Sequence, residues 1–237
     1  MTRTALLCST ALMFFATGTT LAAERAKPAM HFHGIVHRVI AAVPGAVTLY
    51  DQNSDDAGVG VISENFVDGG FYVYDSYGAD DFSVPLGHRW KIREVDVSGV
   101  YGSQTLPAQS EDVIFYLDKK GLPGKPVAQC LQLTGKDTLG SFAIRLPNSC
   151  KVTLKGGKRY WVSVVANEND DCCTSWGWET RNGQNGNPAA WENPNDGYRT
   201  DCETWGAMKT CTGLVDAGPD FMFALKGTDA ATSRSRY

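Results

Sequence analysis

"GKRYWVSVVAN", residues 157–167, sets the fold class of this 237-residue chain. On an extended backbone Trp161, Ser163 and Val165 point one way, and Tyr160, Val162 and Val164 the other. Both faces are largely apolar, which fits a central strand covered on both sides. Around it lie further short β segments: Val47–Tyr50, Gly70–Tyr74, Asp81–Val84, Trp90–Val97, Val113–Leu117, Ala128–Leu133, Ser141–Leu146, Lys151–Leu154, Ser175–Glu179 and Asp220–Lys226. In "RWKIREVDVSGVYG", Trp90 and Ile92 share one parity while Val95 and Val97 share the other, so Arg93–Glu94 is expected to form a bulge or a change of sheet. Turn signals such as "DKKGLPGKP", "KGGK", "RNGQNGNP" and "NPNDG" separate the segments, and helical periodicity is nearly absent. Short strands without βαβ alternation predict an all-β protein. The expected form is an antiparallel β-sandwich, a jelly roll being one arrangement of it, with long disulfide-stapled loops.

The N-terminus reads as an export signal. Arg3 provides a positive start, Ala5 to Phe15 an apolar stretch too short to span a bilayer, and Thr20 to Ala23 a small-residue cleavage zone. Residues 1–23 are thus expected to be removed, residues 24–45 to be a tether or pro-segment, 46–227 the sandwich, and 228–237 a polar tail. The expected location is secreted or periplasmic, released rather than anchored. Loss of Arg3 from 22 basic residues, against 26 acidic ones, leaves a mildly acidic chain with no basic stripe. Nucleic acid is therefore an unsuitable partner, and no membrane insertion is expected after cleavage.

Removing Cys8 with the signal turns seven cysteines into an even set: Cys130, Cys150, Cys172, Cys173, Cys202 and Cys211. In an exported protein such a set reads as disulfides, each contributing about 2–4 kcal/mol. Cys130 and Cys150 could close a hairpin-sized loop, and Cys202 and Cys211 a shorter one. Cys172 and Cys173 would then pair with each other, or cross to Cys202 and Cys211.

"LYDQNSDD", "YDSYGADDFSVP", "WKIREVDVSGVY", "FYLDKKGLPG", "RYWVSVVAN", "WGWET", "NPAAWENP" and "GPDFMFALKG" occur in that order. Together they resemble a domain that recurs in bacterial secreted and surface-anchored proteins. It is a mostly uncharacterised β-sandwich sometimes carried beside variable C-terminal anchors. The likeness runs from Val47 to Gly227, and a departure from it is expected in that no such anchor follows here. The resemblance implies a fold and a compartment, but no active site.

Chemistry-bearing motifs are sparse. His31, His33 and His37 fall in the expected tether, where a mobile segment cannot preorganise metal ligands. Asp51, Asn53 and Asp55 alternate as in a calcium loop, yet Asp56 stands where the turn glycine belongs and Ile62 where the closing Glu belongs. No cofactor is expected, calcium being the one ion these oxygens could suit. No Gly-x-Ser-x-Gly, His-Glu-x-x-His or phosphate-binding glycine loop occurs, so no catalytic residue is assigned. Glu179 and Glu192 sit among tryptophans, and a secreted glycoside hydrolase would need two such carboxylates facing each other.

Four of the six tryptophans lie between Trp176 and Trp205, interleaved with asparagines. Trp176 and Trp178 have strand spacing and suit a core. Indole faces stack on sugar rings, and amides bond hydroxyls, so Trp191 and Trp205 with Asn185 and Asn195 form the expected ligand set. The leading expectation is a non-catalytic module recognising an extracellular glycan or surface component. The alternatives are a structural or adhesive module, or the hydrolase.

Overall fold

The apolar runs are carried through as strands in the computed structural model, which describes residues 29–34, 45–67, 70–102, 107–168 and 175–231. In chain order these are β1 (His31–His33), β2 (Val47–Asp51), β3 (Asp56–Ile62), β4 (Glu64–Phe66), β5 (Tyr77–Val84), β6 (His88–Val97), β7 (Gly99–Tyr101), β8 (Ser110–Asp118) and β9 (Pro123–Leu133). They continue as β10 (Lys136–Thr138), β11 (Ser141–Arg145), β12 (Val152–Lys155), β13 (Lys158–Glu168), β14 (Trp176–Arg181), β15 (Ala190–Glu192), β16 (Gly206–Ala207), β17 (Asp220–Phe221) and β18 (Phe223–Ala231). One short helix, α1 (Met208–Thr212), precedes β17.

Three sheets share one core. The first runs β16-β15-β5-β13-β8-β9 with β4 beside β13; the second runs β10-β11-β6-β18-β2 with β12 beside β6; the third runs β1-β3-β14-β17 with β7 beside β14. The pairings are antiparallel except β4 with β13. Phe82 of the first sheet meets Trp90 and Phe223 of the second at ring distances of 6.2 and 6.3 Å. The third sheet enters the same core through Trp176, stacked on Phe142 at 4.9 Å, and Trp178, stacked on Phe221 at 4.6 Å. Both indoles are fully buried, and each N–H donates to a backbone carbonyl, of Gly140 and Met222 respectively. Burying them without those acceptors would leave a desolvated donor unpaired.

The expected double covering of β13 is present. Tyr160, Val162 and Val164 pack into the main core, while Trp161 packs on the opposite face with Ala79 and Ala190. The expected break in β6 is a bulge. Glu94 pairs with Lys226 and Ile92 with Gly227, leaving Arg93 as the extra residue. There the other edge of β6 also changes partner, from β12 through Ile92 to β11 from Glu94. Gly227 is required at this point, because a Cβ there would overlap the Lys91 carbonyl.

Two readings of the sequence need correction. The aromatic run at 70–74 is a 3₁₀ turn, Tyr72–Tyr74, rather than a strand; Phe71 folds back onto Phe66 at 5.7 Å. His31–His33, assigned to a tether, is an edge strand paired with Val59–Val61. The glycines of β3 and β14 explain why neither that strand nor β3 stood out. A Cβ on Gly60 would meet Val100 at 2.8 Å, and one on Gly177 would meet Phe32 at 3.1 Å. These positions are bare so that β1 and β7 can lie against them.

Disulfides join Cys130 to Cys150 and Cys202 to Cys211, with Cα separations of 5.6 and 5.7 Å. Cys172, Cys173 and His37 lie outside the described residues, as do the expected signal segment and residues 232–237 of the tail. No described helix is long and apolar enough to cross a membrane.

Several carboxyls are buried with the strands that carry them. Burial, reinforced by Asp56, pushes Glu179 of β14 up to about 8, and burial with Asp137 and Glu111 does the same for Glu168 of β13. Their ordinary value is 4.5, so between these limits the folded protein holds protons that the unfolded chain releases. Stability is therefore expected to fall as pH rises from about 5 to about 8. Urea unfolding midpoints across that range should show the decline, and Glu179→Gln should flatten it.

Candidate functional site

The outward face of the first sheet is built from β15, β5, β13 and β8. Ser163 of β13 lies between Ala79 of β5 and Ile114 of β8, and Ala79 is opposite Ala190 of β15. The row on one side brings together Asp81, Trp161 and Tyr116, while on the other side Tyr77 is opposite Glu192. Small side chains thus floor the face and aromatic ones rim it. Trp205 and Tyr116 pack, half-buried, against the Trp161–Ala79–Ala190 cluster. Their rings meet edge to face at 5.7 Å.

The Trp205 loop is held from both ends. The Cys202–Cys211 disulfide closes it, Asn193 N–H donates to the Cys202 carbonyl, and Met208 N–H donates to the Ala189 carbonyl. A Cβ on Gly206 would stand 2.6 Å from Cys211 Sγ, so glycine is needed for the loop to close over its own disulfide. The Trp205 backbone N–H in turn donates to the Glu192 carboxylate. Burial outweighs that bond and pushes Glu192 up to about 7. Burial, with Asp75 and Glu192 nearby, raises the Tyr77 hydroxyl to about 12; burial and Glu192 raise Tyr116 as well. Near neutral pH the face therefore offers two phenolic hydroxyls and a carboxyl able to donate or accept. Beneath them the Trp161 indole N–H is satisfied by Asp118 at 3.0 Å.

The structure divides the expected ligand set. Trp205 is on this face and meets Glu192, the residue considered for hydrolysis. Trp191 is not: β15 alternates, so Ala190 and Glu192 face outward and Trp191 points into the core. Trp191 is fully buried, with its N–H donating to the Ile62 carbonyl at 2.9 Å and its ring against Tyr198 at 6.1 Å. It has no face left for a ligand. Asn185 and Asn195 are exposed but serve as loop ties: Asn185 N–H donates to Asp220 Oδ2 at 2.5 Å, and Asn195 Nδ2 to the Tyr72 carbonyl at 2.9 Å. Glu179, the other acid considered, is wholly buried and cannot face a substrate across a cleft.

The proposed calcium ligands do turn chemistry. Asp51 Oδ1 accepts from Asn53 N–H at 2.9 Å, Asn53 Oδ1 accepts from the Ser98 hydroxyl, and Asp55 takes a left-handed φ of 66°. Among the described residues no three His, Cys, Asp or Glu side chains are grouped so as to hold a metal ion. His31 and His33 stand edge to face at 5.5 Å, and His33 Nε2 is 3.7 Å from Asp216. His88 has a partner in Asp229 at 2.6 Å.

Tyr77 and Tyr116 were not singled out in the sequence. The signal for Tyr116 is its parity in "DVIFYLD", where Val113 and Phe115 take the core and Ile114 and Tyr116 the other face. The two tryptophans should separate in a stability measurement. Truncating buried Trp191 to Ala should cost about 3–5 kcal/mol, whereas Trp205→Ala should lower a urea-derived unfolding free energy by much less.

No curated protein and no solved structure matches this chain. A family model described as a domain of unknown function, DUF7901, matches residues 53–225, from the turn after β2 into β18, and the chain belongs to that family.

Proposed function

We propose that the chain is an exported, non-catalytic binding module that takes a glycan on the outward face of its first sheet. The observation that carries this reading is the half-buried Trp205, its ring held edge-on to Tyr116 and its backbone N–H donating to Glu192. An indole in a braced loop presents an apolar ring to the C–H face of a sugar at little entropic cost, while Glu192 and the two tyrosine hydroxyls meet its hydroxyls. The net acidity of the chain favours neutral or amino sugars over anionic ones. Export accords with the two disulfides, which persist in oxidising compartments.

Hydrolysis finds less support. It requires paired carboxylates across a cleft, and Glu179 is sealed in the core while Glu192 sits on an open face. A glycan array with the mature protein tests the reading. Trp205→Ala should weaken binding about tenfold, or ~1.4 kcal/mol, and Tyr116→Ala should act in the same direction. Asn185→Ala and Asn195→Ala should leave it unchanged. An array on which the wild-type protein binds nothing would leave a structural or adhesive module as the better reading.

A further inference from the structure

The second sheet carries three charged side chains on a buried surface that the glycan reading does not use. Lys226 of β18 is directly opposite Glu94 of β6, and Asp96 follows two residues along the same face. The alternate residues Val95, Val97 and Leu225 occupy the core. Glu94, Asp96 and Lys226 are nevertheless only 0%, 3% and 8% exposed. Lys226 Nζ stands 2.8 Å from Glu94 Oε1 and 2.5 Å from Asp96 Oδ2. The Glu94 contact is a well-formed hydrogen bond, whereas Asp96 receives none with good geometry. An amine this close to a carboxyl oxygen, and not aligned as its donor, is within reach of the carbon that bears the oxygen. On the far side, Arg145 Nε lies 3.4 Å from Glu94 Oε2.

We propose that Lys226 and Asp96 condense into an intramolecular amide bond, with Glu94 as the proton carrier. An ammonium facing a carboxylate and a neutral amine facing a carboxylic acid hold the same number of protons. Exclusion of water penalises the charged pair, while Asp96 and Glu94 hold the Lys226 ammonium against that penalty, so the uncharged pair is the minor, reactive form. Burial raises the Asp96 carboxyl to about 6 against the pull of Lys226. In the neutral pair the Nζ lone pair attacks Asp96 Cγ, forming the C–N bond. Glu94 takes a proton from Nζ and passes it to the departing hydroxyl, the C–O bond breaks, and one water leaves. No oxidant, cofactor or second substrate is needed. Packing holds the reacting groups in contact, which replaces the activation an intermolecular condensation would require. The product ties β18 to β6 beside the Arg93 bulge, joining strands whose facing residues Glu94 and Lys226 are 132 positions apart.

Mass spectrometry of the unfolded, disulfide-reduced wild-type protein tests this directly, without depending on how any variant folds. The expected intact mass is lower than that of the linear chain with the same N-terminus by one water. A tryptic digest should contain a branched peptide joining the Asp96 and Lys226 segments, uncut after Lys226. Lys226→Arg should restore the full mass and abolish the branched peptide. A full-mass wild-type protein cleaved normally after Lys226 would overturn the proposal and leave a buried ion pair. Glu94→Gln should remain unlinked; if it links as completely as wild type, Glu94 is not the proton carrier.

Discussion

Covering both faces of β13 is the constraint from which the rest of the architecture follows. A strand with Trp161 and Val165 on one side and Tyr160, Val162 and Val164 on the other gains from burial only if each side finds its own apolar partner. The inner side, flanked by Phe82 of the same sheet, is met by the second sheet through Trp90 and Phe223 and by the third through Trp176 and Trp178. Among the described residues the outer side has no further sheet to meet. It is closed by small residues on β5 and β15 and by the disulfide-braced loop that lays Trp205 beside Tyr116. The candidate ligand face is thus the part of that cover that remains partly open. Its aromatic character is a by-product of sealing Trp161.

This explains how far the sequence could be read. Strands with long apolar runs were legible because their neighbours hardly matter: β6, β8, β11, β13 and β18 announce themselves, and so does the bulge at Arg93, through a change of parity. The Cys130–Cys150 and Cys202–Cys211 pairings were among those the spacing allowed, but a crossing of Cys172 and Cys173 to Cys202 and Cys211 was equally open until the structure fixed the two bridges. Three-residue strands were not. The inward turn of Trp191 and the outward turn of Glu192 depend on the register of β15 against β5, which "NPAAWENP" does not encode locally. Trp191 and Trp205 look alike as letters in an Asn-rich stretch and differ only in which side of a sheet receives them. The two tyrosines of the face sit in strands whose other parity dominated the reading.

The asparagines show the same limit. Asn185 and Asn195 have the composition of a sugar-binding loop, yet one ties its backbone to Asp220 and the other caps the Tyr72 turn. Asn193 does likewise, donating from Nδ2 to the carbonyls of Val73 and Asp75 at 2.9 and 2.7 Å. Long loops over a sandwich expose many backbone groups, and amide side chains satisfy them in place of a ladder. An Asn-rich loop therefore reports first on how the loop is held together.

The position of β18 has a consequence for how the molecule comes into being. This last described strand lies inside the second sheet, between β6 and β2, rather than at its edge. Neither of those earlier strands can complete its hydrogen-bonded ladder on that side until Phe223–Ala231 has been made. Pairings this distant in sequence form slowly, because loop closure precedes the reward of contact. A nascent chain thus holds its second sheet incomplete until β18 emerges, with β6 and β2 each carrying an open edge until then.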